Sequence, residues 1–255
     1  MQWWLGSGWF VRVVLILWAV LVAVTGAAWA GPWPRDAGGV FMSLSAEGDR
    51  HGNGYLGFYG EYGLTPRRTL GLELGHSGVG ESSALIWLQT VLGGGGGPDH
   101  WTGSLGFGAL ERAGEYLPVG QLGLAWGRGW DAVPVLRELP DGGWLSVEAR
   151  LKVTALPRDD SAMMAKLEEG AGLLAYITPE ASAKLDVTLG WHVSTSRMFI
   201  NQLRFEDRDD TGFSLQLASS LVQQVAGALR LELGLVAPLS GEAEAALRLG
   251  TWLEF

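Results

Sequence analysis

Residues Trp144 to Thr154 read WLSVEARLKVT, and they decide the fold. Leu145, Val147, Ala149, Leu151 and Val153 alternate with Ser146, Glu148, Arg150, Lys152 and Thr154. A strand sends successive side chains to opposite faces, so this stretch sorts into one apolar and one polar face. A helix would scatter both sets around its axis.

The period of two recurs outward from there. Leu70, Leu72 and Leu74 alternate with Gly71, Glu73 and Gly75. Leu185, Val187, Leu189 and Trp191 alternate with Lys184, Asp186, Thr188, Gly190 and His192. Four leucines from Leu229 to Leu235 alternate with Arg230, Glu232 and Gly234. Near the end, Leu247, Leu249, Leu253 and Phe255 oppose Arg248, Gly250 and Glu254, with Trp252 on the polar side. Twelve strand segments are predicted, over 39–48, 54–64, 69–76, 83–92, 101–110, 119–128, 143–154, 183–192, 197–206, 211–222, 226–236 and 243–255. Two alternate poorly: Trp87 and Gln89 share a face with Leu85, and Asn201 sits among Phe199, Leu203 and Phe205.

A soluble sandwich also alternates, but its polar face meets water and is rich in charge. Here that face is mostly Gly, Ser, Thr and Gln. Its sparse charges carry both signs: Glu61, Glu73, Glu148, Arg150, Lys152, Lys184, Asp186, Arg230, Glu232 and Arg248. These ten are expected to face one lumen and to pair there, with the apolar face toward lipid. Aromatics fall near segment ends, at Tyr62, Trp101, Trp126, Trp144 and Trp191, where interfacial girdles form. The expected fold is all-β, an antiparallel up-and-down transmembrane β-barrel.

The first thirty residues are of another kind. Arg12 is their only charge, Val13 to Val24 is wholly apolar, and Ala28-Trp29-Ala30 puts small residues at −3 and −1 of a cleavage site. These are the parts of a secretory signal peptide. Cleavage leaves 225 residues (31–255) with a net charge of −10, against −9 for the 255-residue chain. The chain has no cysteine, which excludes disulfides and thiol chemistry. Acidic balance disfavours nucleic acid as a partner. The 39 glycines, about twice the usual share, suit tight turns and closely packed strands.

The final stretch LRLGTWLEF closes an amphipathic strand on Phe255. It resembles the signal that outer-membrane β-barrels of Gram-negative bacteria present to their insertion machinery. More loosely, Gly57 to Thr65 (GFYGEYGLT) and Gly250 to Phe255 resemble a group of proteobacterial barrels with no known activity. The resemblance implies outer-membrane lipid and the insertion machinery as partners, with Phe255 as the assembly signal. It transfers no reaction.

With both termini in the periplasm, strand number is even. Periplasmic turns then fall at Thr65–Arg68, Gly93–Pro98, Ser194–Arg197 and Val222–Val225. Outer loops fall at Gly48–Asn53, Ser77–Ser82, Arg112–Leu117, about 155–182, Glu206–Asp210 and Pro238–Glu242. Gly129 to Gly142 is long for a periplasmic turn, and Ala165 to Tyr176 suits a short helix or an extra strand.

Four functions stay open at this point: a passive porin-like channel, a closed structural barrel, an outer-membrane lipid hydrolase, and a surface-recognition barrel acting through its loops. His192-Val193-Ser194 has the spacing of a hydrolase pair but falls at the periplasmic rim. His76-Ser77 lies at the outer rim with its side chains on opposite faces. His51 reads as a solvated loop residue, and Glu206, Asp207, Asp209 and Asp210 as a solvated acidic run rather than a Ca²⁺ loop. The run Gly93–Gly97 lacks the Lys and Ser/Thr of a phosphate loop. No enzyme activity, metal or cofactor is expected.

Overall fold

A computed structural model describes residues 31–93, 97–130, 142–157, 177–209, 211–241 and 244–255. Twelve strands follow one another: β1 (Val40–Asp49), β2 (Gly54–Thr65), β3 (Arg68–Ser77), β4 (Ser82–Leu92), β5 (Asp99–Arg112), β6 (Glu115–Gly129), β7 (Gly143–Pro157), β8 (Ile177–Ser194), β9 (Arg197–Arg208), β10 (Gly212–Ala226), β11 (Leu229–Ser240) and β12 (Ala246–Glu254). Each pairs with the next, and β12 returns to β1 to close the barrel. Every pairing is antiparallel.

Cross-strand register carries one face around the circle. Glu47 lies opposite Arg248, Glu232 opposite Gly250, Asp186 opposite Arg204, and Glu148 opposite Asp186. These positions point inward. The other set points out, where Leu122, Leu151, Leu233 and Leu249 are exposed, as a lipid-facing band requires. On that outer face Ser219 lies opposite Asn201 and donates a hydrogen bond to its side-chain oxygen at 2.8 Å. Each polar group thereby satisfies the other where no water would. That pair explains the broken alternation of β9. The poor alternation of β4 has another cause: Leu85 and Trp87 are both buried on the inward face, Leu85 in the wall of the lumen cavity and Trp87 packed against Tyr59.

Several boundaries differ from the sequence reading. The predicted turn at Val222–Val225 is strand; β10 runs to Ala226, and the chain reverses at Gly227. The predicted loop Arg112–Leu117 shrinks to Ala113 and Gly114, at φ 53° and 85°, the two positive angles of a tight hairpin turn. The loop expected over about 155–182 loses both flanks, because Ala155–Pro157 pairs with Ile177–Pro179. A ladder needs no alternation to continue, so pattern reading stops short at strand ends. The segment Ala165 to Tyr176 and most of the 129–142 connection lie outside the described residues. Trp144 is not a girdle residue; it points inward and is buried. Trp101 and Trp126 lie 6.4 Å apart on the outer face, and Trp191 stacks on Phe199 at 5.6 Å, all at the end that carries the chain termini.

Residues before β1 turn into the barrel. Gly38 N donates to Gly63 O at 2.8 Å, and Gly63 N to Gly39 O at 2.9 Å. Upstream of that tether, Pro32 is fully buried and Arg35 is 7% exposed.

The two-face assignment is testable. Leu151→Arg sets a charge in the lipid band and is expected to destabilise the folded barrel by roughly 2–4 kcal/mol. Lys152→Arg, one residue on and facing inward, is expected to change little. Reversible urea unfolding in vesicles measures both, and equal effects would contradict the assignment.

Candidate functional site

The lumen has two zones. In the half nearest the termini, Phe41, Trp144, Met198, Val222 and Trp252 form a buried layer, with Tyr59, Ile200 and Trp33 packed against it. The wall makes room with glycine: a Cβ on Gly190 would lie 2.3 Å from the Trp144 ring. Polar groups within this layer are tied down. Tyr59 donates to Glu61 at 2.6 Å, and the Trp252 indole donates to Glu232 at 3.0 Å. Arg35 bridges Glu61 and Glu254 at 2.5 and 2.8 Å, and Glu254 also takes Arg230 at 2.8 Å.

Toward the opposite end the lumen opens into a cavity of about 520 Å³ lined by charge. Arg150 is its hub, reaching Asp186 at 2.8 Å, Glu148 at 3.3 Å and Glu73 at 3.4 Å. Lys152 joins Glu73 at 3.0 Å. Glu47 is shared by Arg204, at 3.0 Å, and Arg248. Arg248 also takes Glu232 at 2.8 Å. Arg112 bridges Glu81 at 2.6 Å and Glu180 at 3.0 Å. The guanidinium fork suits this role, since one Arg serves several carboxylates at fixed angles.

All ten of the charged positions singled out from the sequence lie on the inward face. Glu61, Arg230 and Glu232 belong to the packed half, and Arg248 links the halves. Glu73, Glu148, Arg150, Lys152, Lys184 and Asp186 belong to the cavity half. Register sets like charges side by side, Arg150 opposite Lys184 and Glu148 opposite Asp186. Directly opposed like charges destabilise a sheet. Here the diagonal Arg150–Asp186 bond offsets the clash. Among the described residues Lys184 comes no nearer to a carboxylate than 4.0 Å, to Asp186.

Sequence reasoning missed Arg35, Glu47, Glu81, Arg112, Glu180 and Arg204 as lumen groups. Glu47 and Arg204 were legible, since each lies in phase with the polar face of its strand. Glu180 was hidden in a stretch read as loop, and Arg35 precedes every periodic segment.

The hydrolase spacings do not assemble. Register shifts between His192 and Ser194, and Ser194 instead meets Ser196 at 3.5 Å. His192 packs 6.0 Å from the Trp144 ring. His76 contacts Ser82 rather than Ser77, at 3.0 Å on the outer face, and no described carboxylate hydrogen-bonds its ring. A serine nucleophile needs that third group to orient its base. Among the described residues no three His, Asp or Glu side chains gather as a metal site. Asp209 is used structurally, accepting from Ala181 N at 2.7 Å. His51 and Arg50 both reach Glu244 at 3.0 Å, joining two loops, and that carboxylate raises Arg50 above its ordinary pKa.

Solved structures of similar fold include bacterial outer-membrane barrels. The outer membrane channel from Pseudomonas putida F1 matches with a TM-score of 0.56 at 11% identity, covering 90% of this chain and 100% of that one. The NanC porin matches at 0.53 and 10% identity, covering 85% and 100%. The translocator domain of the autotransporter NalP from Neisseria meningitidis matches at 0.50 and 12%, covering 96% and 95%. No protein-family model matches the chain. No curated protein matches it either. The fold is thus that of an outer-membrane β-barrel with twelve strands.

The hub is expected to be structural as well as electrostatic. Arg150→Met leaves Asp186, whose side chain is 3% exposed, without its close cation. Removing one partner of a buried pair costs roughly 3 kcal/mol or more. Asp186→Asn in the same background is expected to recover part of that loss, read by urea unfolding.

Proposed function

We propose that this chain is a porin-like channel of the bacterial outer membrane, taking small polar solutes. The observation that carries the reading is the charged cavity of about 520 Å³ inside a closed barrel with an apolar exterior. That volume lies in the usual range for small-molecule sites. Because its lining mixes both signs, it is expected to discriminate weakly between small cations and anions. The Pseudomonas channel and the NanC porin lend support by shape alone.

The remaining parts of the reading come from the sequence. Cleavage after Ala30 exports the chain, the strand ending at Phe255 addresses it to the barrel-insertion machinery, and outer-membrane lipid surrounds the leucine band. The end bearing the termini faces the periplasm and the cavity faces outward. The protein acts without catalysis.

The packed terminal half favours a second reading, a barrel that admits solutes from outside without passing them. Purified, heat-modifiable protein added to planar bilayers separates the two. Discrete conductance steps of low ion selectivity are expected of a channel. A folded barrel that never conducts would contradict the channel and leave the closed receptacle.

A further inference from the structure

The packed half of the lumen is built like a peptide-binding site, and the peptide in it is the chain's own Gly31-Pro32-Trp33-Pro34-Arg35-Asp36. Its backbone is held by wall side chains. Arg35 N donates to Thr69 Oγ1 at 3.0 Å, and Gln89 Nε2 donates to Gly31 O at 3.4 Å. Its one cationic side chain fits a cage. The Arg35 guanidinium meets two carboxylates from β2 and β12 and lies 4.5 Å from the centroid of the Phe41 ring. Desolvated cation–π contact adds to the two ion pairs.

The wall is shaped to this occupant. A Cβ on Gly127 would come within 2.3 Å of Pro32 and 2.6 Å of Trp33. A Cβ on Gly63 would come within 1.9 Å of the Asp36 carbonyl oxygen. Any side chain at either position would evict the segment. Trp33 completes the aromatic layer and lies 5.5 Å from the His100 ring.

One feature of the seat is unfilled. Gln89 Oε1 is buried and has no hydrogen-bond partner among the described residues, although its amide nitrogen holds Gly31. A buried acceptor without a donor is costly. Cleavage after Ala30 would make Gly31 an α-ammonium, which puts a cluster of N–H donors on the residue whose carbonyl Gln89 already holds.

We propose that the processed amino terminus, Gly31–Asp36, is an intramolecular peptide ligand of the barrel, and that its occupation of this seat shuts the terminal mouth. A peptide that carries a free amino terminus and an arginine four residues later has the chemistry to compete for the seat. The inference rests on the channel reading for its effect on conductance. Its occupancy can be tested apart from that reading.

The chain has no cysteine, so introduced thiols report alone. A Cβ on Gly31 would lie 3.7 Å from Ser146 Cβ, against a usual disulfide spacing of about 3.8 Å. Gly31 has a φ of +106°, but cleavage would remove the preceding carbonyl that defines this angle, so cysteine is tolerated there. Three forms of the full chain are compared in vesicles: Ser146→Cys, Ser146→Cys with Arg35→Glu, and Gly31→Cys with Ser146→Cys. Arg35→Glu sets a third carboxylate against Glu61 and Glu254.

Ser146→Cys alone is expected to resist a water-soluble maleimide. Arg35→Glu is expected to raise its labelling rate about tenfold or more, the loss of charge-assisted bonds converted to a population, and to raise conductance with it. The Gly31/Ser146 pair is expected to cross-link spontaneously, to hold the barrel shut, and to be released by reductant. Equal labelling rates in the two folded backgrounds would overturn the proposal. So would failure of the pair to cross-link, a readout that survives if Arg35→Glu does not fold. Relief of protection without conductance in any form would retain the peptide seat and refute the channel reading.

Discussion

Closure of the sheet is the constraint on which everything else depends. Strand β1 meets β12 along the whole seam from Phe41 opposite Glu254 to Asp49 opposite Ala246. At its terminal end, Val40 and Phe255 exchange both backbone hydrogen bonds, at 2.6 and 3.0 Å. In lipid an unpaired backbone group costs several kcal/mol, so a sheet with a free edge is not an option. Closure also separates the two faces for good. One set of side chains must suit hydrocarbon, and the other must fill or line the space within.

That space sets the second problem. Eight strands make a barrel that its own side chains just fill, and twelve make a wider one. The chain meets this differently at its two ends. Near the termini it packs indoles inward, opposing Trp144 with Gly190 and Trp87 with Gly71, so that large meets small. Even so the wall does not suffice, and residues from Gly31 onward fold in to occupy the remainder. Toward the other end it leaves a cavity and lines it with arginines, of which Arg112, Arg150 and Arg248 each serve more than one carboxylate. The buried ions of the terminal half, Glu61, Glu254 and Arg35, are tolerable because each carboxylate has more than one donor.

The barrel and its inward charges were legible from the sequence because both rest on the period of two. Leu151 and Lys152 are neighbours in sequence and face opposite worlds, and no other regular structure sorts them so. The alternation of Leu247, Leu249 and Leu253 with Arg248 and Gly250 marked β12. Three features were not read from that period. Strand ends such as Ala155–Pro157 are held by backbone pairing that leaves no trace in side-chain order. Trp144 was grouped with Trp191 by its place near a strand end, although its phase with Ser146 and Glu148 sets it inward while Trp191 keeps phase with Leu189. The amino-terminal segment has no period at all: Gly-Pro-Trp-Pro reads as a break after the apolar stretch, and nothing local shows that Arg35 meets Glu61 and Glu254, which lie far along the chain.

The central claim is that one face of each strand meets lipid while the other meets a lumen that is packed near the termini and wet beyond. Spin labels placed singly along β7 from Trp144 to Thr154 test it directly, with oxygen as the lipid-soluble relaxant and a nickel chelate as the aqueous one. The account predicts oxygen access at Leu145, Val147, Ala149, Leu151 and Val153. It predicts chelate access at Arg150, Lys152 and Thr154, and protection from both relaxants at Trp144 and Ser146. Chelate access running unbroken along all the even positions would contradict the packed terminal half, and access without a period of two would contradict the barrel itself.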